Sequence, residues 1–163
     1  MIERFYVFGT GAHARKVSHY LRLCGAEVAA CVYVARGAAW PLAEVPAIHT
    51  PMLPSPRPHE RMFVAVGAAA VRQRLMDACA ARGWPLPALV HPLASVASDA
   101  RLGDGVLVAA GAVVETGAVI GRGAIIDVGA IIDHDCRIGE FSHMHAGAIC
   151  APGTTIAPCA EVR

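Results

Sequence analysis

From Val90 onward a large apolar residue returns every six positions: Val90, Val96, Leu102, Val108, Val114, Ile120, Ile126, Ile132, Ile138, Met144, Cys150, Ile156 and Val162, with Cys150 the one unconventional tooth. Four places after each tooth stands a small or short residue, such as Ala112, Ala118, Ala124, Ala130, Cys136 and Ser142, and glycine usually lies between the two. Side chains recur every 3.6 residues on a helix face and every 2 on a strand face, so a period of six fits neither. It fits a parallel β-helix in which each hexad forms one side of a three-sided prism. Teeth and small residues then fill the interior, glycines make the corners, and the repeat gives roughly four coils. Most β crossovers are right-handed, and hexad prisms of this spacing are the left-handed exception.

The repeat divides the 163 residues near position 88, giving an expected N-terminal domain over 1–88 and a β-helix domain over 89–163. The composition is 55% hydrophobic and 17% charged with a formal net charge of +1, which offers no basic footprint for nucleic acid and is not that of a disordered chain. Apolar content this high suggests burial at a subunit interface as well as in a core. No apolar run approaches the roughly 18–20 residues that cross a bilayer, and Met1-Ile2-Glu3-Arg4-Phe5 does not begin a signal peptide, so a soluble cytoplasmic protein is expected. None of the six cysteines forms a Cys-x-x-Cys pair and several fall where a strand points inward. They read as reduced, buried thiols, with neither a disulfide framework nor a zinc site.

Upstream of the repeat, Arg4 to Phe8 is a short apolar run that ends in Gly9-Thr10-Gly11-Ala12-His13-Ala14, and helical spacing follows from Arg15 to Leu23, up to Gly25. Glu27 to Val34 reads as a second strand, Met62 to Val66 as a third, and Ala69 to Arg82 as a helix closed by Gly83. The Pro-rich stretch from Pro41 to Pro58 reads as a surface loop. Strands alternating with helices predict a small parallel α/β unit of Rossmann type. Gly9-x-Gly11-x-x-Ala14 has the form of a dinucleotide fingerprint, in which glycines let backbone N–H groups approach phosphate at a helix N-terminus. The second strand ends in Tyr33-Val34-Ala35, without the acid that would hold the ribose of NAD, so a phosphate-bearing ligand such as a nucleotide-sugar is favoured over a nicotinamide cofactor and over a structural turn.

One hexad departs from the glycine pattern. Ile132-Asp133-His134-Asp135-Cys136-Arg137 places His134 and Asp135 where the preceding hexad has Val128-Gly129, and Phe141 replaces glycine one hexad later. His143 follows half a coil around the prism, then His145. An imidazole titrates near neutral pH, and an adjacent carboxylate fixes its tautomer and raises its basicity, so His134 with Asp135 reads as a candidate general base. His13, in the glycine turn, reads either as a ligand contact or as a polar cap on the helix start. His91, before Pro92, reads as a linker residue.

These segments resemble the bacterial hexapeptide acyltransferases of the PglD and NeuD kind, which acetylate UDP-linked amino-sugars or sialic acid. The resemblance runs from about Phe5 to Ile156 and rests on Phe8 to Val17, Val64-Ala65-Val66-Gly67 before Arg72-Gln73-Arg74-Leu75, Leu89-Val90-His91-Pro92, and Ile132 to His143. It implies an acetyl-CoA-dependent acetyltransferase of surface glycan biosynthesis that works as a homotrimer, without a metal, at sites between protomers. His134 would be the base, Asp135 would raise its basicity, and His143 would contact acetyl-CoA. Gly11, Ala12, His13 and Gly67 would line the nucleotide-sugar pocket. Against that family the chain reads as C-terminally short. Tyr33-Val34-Ala35, Gly67-Ala68-Ala69 and Pro152 stand where the family has an acidic pair, a Gly-Asp/Asn-Asn run and a glycine. A catalytically silent relative that binds a sugar nucleotide or serves as a trimeric scaffold is the alternative.

Overall fold

The computed structural model describes residues 2–34 and 45–163. The chain divides into two compact units, Met1–Leu86 and Pro87–Arg163. Among the described residues no helix is long and apolar enough to cross a membrane.

In the first unit, β1 (Arg4–Phe8) leads through the glycine turn into α1 (Ala12–Leu23), which is followed by β2 (Glu27–Tyr33), β3 (Ala47–His49), β4 (Glu60–Val64) and α2 (Ala69–Ala81). All the strand pairs are parallel, and the sheet order is β3-β2-β1-β4. The apolar runs of β1 and β4 pair in register from Arg4 with Glu60 to Phe8 with Val64, and four of the five β1 side chains are buried, as expected of a strand covered on both faces. Helix α1 begins at Ala12, three residues before its sequence spacing becomes readable, so His13 lies in the first helical turn.

The Pro-rich segment is not wholly loop. Ala47–His49 pairs with Cys31–Tyr33 as an edge strand, and Thr50–Met52 forms a 3-10 turn. Four residues between Pro46 and Pro51 are too few to carry a visible alternation, and prolines are tolerated at a sheet edge. The side chains at its end also tie β2 down: Thr50 Oγ1 donates to the Tyr33 carbonyl at 2.7 Å, and His49 Nε2 lies 2.8 Å from the Val34 carbonyl. Residue Ala35 and the start of the Pro-rich stretch, 41–44, lie outside the described residues.

The second unit is a parallel β-helix of two-residue strands on three faces, and it fits a left-handed prism. The first face carries Leu89–Val90, Leu107–Val108, Ile125–Ile126, His143–Met144 and Glu161–Val162. The second carries Ser95–Val96, Val113–Val114, Ile131–Ile132 and Ile149–Cys150, and the third Arg101–Leu102, Val119–Ile120, Arg137–Ile138 and Thr155–Ile156. The teeth from Val108 to Cys150 and the small apolar residues from Val106 to Ala148 form one buried cluster, with the Ser142 side chain buried beside them. Deleting methylenes there leaves a void, because a stack of short rungs has little room to collapse.

The corners follow one rule. Gly105, Gly111, Gly117, Gly123, Gly129, Gly147 and Gly153 all have φ between 62° and 73°, and Asp135, Phe141 and Cys159 occupy the same register with φ of 60°, 56° and 60°. This left-handed conformation turns the N–H along the prism axis onto the corner of the preceding coil: Gly123 N–H reaches Asp104 O at 2.8 Å, Gly129 reaches Ala110 O at 3.1 Å and Gly147 reaches Val128 O at 2.9 Å. A donor that would otherwise be lost at a bend is thereby satisfied. Phe141 keeps this conformation with its ring only 2% exposed beneath the Arg122 guanidinium, 5.3 Å from the ring centre.

Two readings at the sites of packing need correction or sharpening. His91 is not a linker residue: it is buried at 5% exposure, and its Nδ1 accepts the Leu93 N–H at 3.0 Å inside the first coil. Of the six cysteines, Cys31, Cys79, Cys136 and Cys150 are buried and Cys24 and Cys159 exposed, all as free thiols. Burial pushes the Cys79 and Cys150 thiols up to about 11, which leaves them inert at neutral pH.

Replacing Cys159 by glycine should relieve the left-handed strain at an exposed corner and raise stability by about 0.5–1 kcal/mol. Ile126→Ala, at a fully buried tooth, should lower it by about 2–5 kcal/mol. Denaturant unfolding followed by circular dichroism reads both.

Candidate active site

His134 stands at the corner between the second face, after Ile131–Ile132, and the third face, before Arg137–Ile138. Its corner is bonded on both sides along the prism axis. Asp135 N–H donates to Thr116 O at 3.0 Å in the coil before, and His134 O accepts Gly153 N–H at 2.9 Å from the coil after. The His134 N–H itself donates to Asp133 Oδ1 at 2.7 Å, a local side-chain-to-backbone bond of the kind aspartate favours where a chain turns. Because the backbone is held from both neighbours, the imidazole projects from a fixed point although its side chain is 51% exposed.

Asp135 completes the arrangement. Its left-handed backbone is one that aspartate tolerates better than most residues, and it brings Oδ2 to 2.9 Å from His134 Nδ1. A carboxylate has only acceptor sites, so Nδ1 carries the hydrogen and Nε2 presents its lone pair outward. The hydrogen bond that Nδ1 donates to Asp135 is the main reason that His134 holds its proton to higher pH than an ordinary histidine. Loss of hydration opposes it, and the negative charges of Asp133, Asp135 and Glu115 add to it. The result is a more basic imidazole, in the correct tautomer, facing solvent.

His143 stands on a different wall. It lies on the first face, half-buried, with Nε2 3.3 Å from Asp127 Oδ2. Its ring stacks on His145 with centres 3.9 Å apart and planes 18° off parallel, and His145 Nε2 lies 3.4 Å from Glu161 Oε2. The stack and its two carboxylates make a flat, polar surface on that face. Within the chain, then, the prism puts His134 with Asp135 and puts His143 elsewhere. Among the described residues no group of three or more His, Cys, Asp or Glu side chains is gathered to hold a metal ion.

The remaining candidates belong to the first unit, at the ends of β1 and β4. Gly9 has φ of 137°, and a Cβ there would lie 2.7 Å from Ala65 O, so only glycine lets the turn after β1 approach the segment after β4 this closely. Gly11 is the N-cap of α1 and Ala12 its first residue; a Cβ on Gly11 or Gly67 would meet nothing within 4 Å, so both face open space. No side chain caps α1 or α2, and neither has an acid in its first turn. Two helix N-termini with N–H groups uncapped by side chains, beside each other at the ends of adjacent strands, suit an anion.

Three contributors were not singled out by sequence reading. Arg72, 1% exposed, donates through Nη1 to Val66 O at 2.9 Å and also to Gly67 O, which pins the strand exit that carries Gly67. Its place in a helix gave no sign that it points inward. Asp127 and Asp99 belong to no local motif. The signal was in the 18-residue coil step, which puts Asp127 one rung from His145 and lines up Asp99, Gly117 and Asp135 in one column.

No family model and no curated protein matches this sequence. Solved structures do. The acetyltransferase domain of PglB from Neisseria gonorrhoeae matches with a TM-score of 0.80 at 29% identity, covering 98% of this chain and 87% of that one. The same domain in complex with acetyl coenzyme A matches with a TM-score of 0.66 at 25% identity, covering 99% and 88%. A His-to-Asn variant of perosamine N-acetyltransferase from Caulobacter crescentus, in complex with CoA and GDP-perosamine, matches with a TM-score of 0.79 at 34% identity, covering 97% and 84%.

Asp135→Asn keeps the shape but removes the charge that holds the His134 proton. His134 should then titrate at lower pH, nearer an ordinary histidine, in an NMR titration of the ring; an unmoved titration would mean that the pair is not coupled.

Proposed function

The chain belongs to the hexapeptide-repeat sugar acetyltransferases, and on that premise we propose that it transfers the acetyl group of acetyl-CoA to the amine of a nucleotide-linked amino-sugar, with His134 as general base. The single observation that carries the assignment is the His134 Nδ1 to Asp135 Oδ2 contact of 2.9 Å, which leaves a basic Nε2 free to face a substrate. As the amine nitrogen attacks the thioester carbonyl, Nε2 takes its proton. The new C–N bond forms, the tetrahedral adduct collapses, the C–S bond breaks, and the imidazolium returns the proton to the departing sulfur. Asp135 stabilises the imidazolium while it lasts. The perosamine enzyme's complex with CoA and GDP-perosamine supports an amino-sugar nucleotide as acceptor.

We take the N-terminal unit as a Rossmann-like domain for the nucleotide. The order β3-β2-β1-β4 with a glycine turn after β1 supports this, since a ligand in such a sheet sits at the carboxyl ends of the strands where the order reverses. Gly11, Ala12, His13 and Gly67 would line the pocket there, and the uncapped starts of α1 and α2 would receive phosphate. Tyr33 and Val34, at the end of β2, offer no acid to a ribose or sugar hydroxyl, so recognition at that point must come from backbone groups or from other residues.

We assign the working form as a homotrimer with prisms side by side, acting in the cytoplasm, where acetyl-CoA is made. The second face exposes Ile131 at 37% and Ile149 at 68%, and the adjoining corner exposes Val128 at 43%, an apolar strip suited to association. The separation of His134 and His143 onto different walls supports the same arrangement, because a neighbouring protomer would bring its His143 wall to the His134 corner. His143 would there meet acetyl-CoA, oriented by Asp127.

His134→Ala should lower acetyl transfer to a nucleotide amino-sugar by about 10²–10⁴-fold. His143→Ala should act mainly by raising KM for acetyl-CoA. A His134→Ala protein within a few-fold of the parent would contradict the assignment. A parent protein silent on a panel of nucleotide amino-sugars would favour a silent, sugar-nucleotide-binding relative.

A further inference from the structure

The corner that carries His134 is the third of a column. One coil earlier stand Thr116 and Gly117, and one coil earlier again stands Asp99, each 18 residues from the next. Asp99 Oδ2 accepts two hydrogen bonds from the middle corner, from Thr116 Oγ1 at 2.7 Å and from the Gly117 N–H at 3.1 Å. The Thr116 hydroxyl, more than any other group, holds the Asp99 carboxyl below the usual carboxylate range, so Asp99 is a firm anion at neutral pH. The Thr116 carbonyl in turn accepts the Asp135 N–H at 3.0 Å.

Gly117 has φ of 70°, and a Cβ built on it would lie 2.5 Å from Asp135 Oδ1 and 3.5 Å from its Cγ. Real Cβ atoms do not come that close, so the Asp135 carboxylate occupies the space that a side chain at 117 would take. Gly129 does not share this duty: with φ of 66°, an added Cβ there would meet nothing within 4 Å.

We infer that Gly117 and Asp99 are positioning residues for the His134–Asp135 pair. Gly117 leaves the space into which the Asp135 carboxylate folds to meet Nδ1, and Asp99 locks the turn that sets where that space lies. The inference rests on the reading of His134 as the base, and neither residue touches substrate. The charged groups that act on His134 are Asp133 and Asp135 on its own corner and Glu115 from the coil before it; Asp99 lies one coil further down the same column, bonded to Thr116. The corner after it, Ala151-Pro152-Gly153, carries no charge.

The matched pair Gly117→Ala and Gly129→Ala tests this. Both put a Cβ on a left-handed corner, so both carry the same backbone strain, but only the first meets Asp135. In Gly117→Ala, His134 should titrate at lower pH by NMR, as in Asp135→Asn. The acid limb of kcat/KM should move the same way, and kcat should fall about 10- to 100-fold with KM for acetyl-CoA little changed. Gly129→Ala should leave the titration and kcat near the parent values. Asp99→Ala should shift His134 in the same direction by less, and Asp99→Asn, which keeps an oxygen to accept from Thr116, should restore most of the loss. Should Gly117→Ala fail to fold, the two Asp99 variants carry the test. A His134 titration unmoved in Gly117→Ala, or moved equally by Gly129→Ala, overturns the inference. Acetyl transfer that survives His134→Ala while Gly117→Ala still shifts the titration upholds the positioning and removes His134 as the base.

Discussion

A prism of two-residue strands has room for only a few backbone bonds per rung, so each corner must return its N–H to the stack. The left-handed residue every six positions does this, and the rest of the second unit depends on it. Where the chain bends, the N–H of Gly123, Gly129 or Gly147 turns along the axis and meets a carbonyl of the coil before. The bend is thereby part of the hydrogen-bonded ladder, and the apolar teeth stay aimed at the interior.

The same constraint shapes the chemistry. A corner is the one place on the prism where a side chain projects clear of the flat faces, yet its backbone is as fixed as a strand's. His134 and Asp135 hold that position with no glycine at their own corner, because aspartate accepts the left-handed conformation at modest cost. Proximity in sequence gives the pair its hydrogen bond, and the column below it gives the carboxylate its room. A rigid support for an exposed base suits a reaction in which catalysis is mostly positioning and proton transfer.

Much of this was legible in the sequence because the pattern is one-dimensional. The six-residue comb named nearly every interior residue of the repeat, and the loss of glycine at 135 and 141 marked the corner that departs from the rest. Glycine turns after β1 were readable for the same local reason. What stayed hidden depends on contacts across coils or on side-chain direction. Arg72 folds inward to cap carbonyls, His91 is buried by accepting an N–H two residues on, and Ala47–His49 becomes a strand only because β2 lies beside it. Asp99 and Gly117 bear on the site through an 18-residue step that shows only when the column is traced downward from Asp135.

The most direct measurement is the pH dependence of kcat/KM for acetyl transfer, set beside the NMR titration of the His134 ring in the same protein. One acid limb should appear, with its midpoint at the pH where His134 loses its proton and above that of an ordinary histidine. A limb at a different pH, or no limb across the range in which His134 titrates, would contradict the assignment of that imidazole as the base.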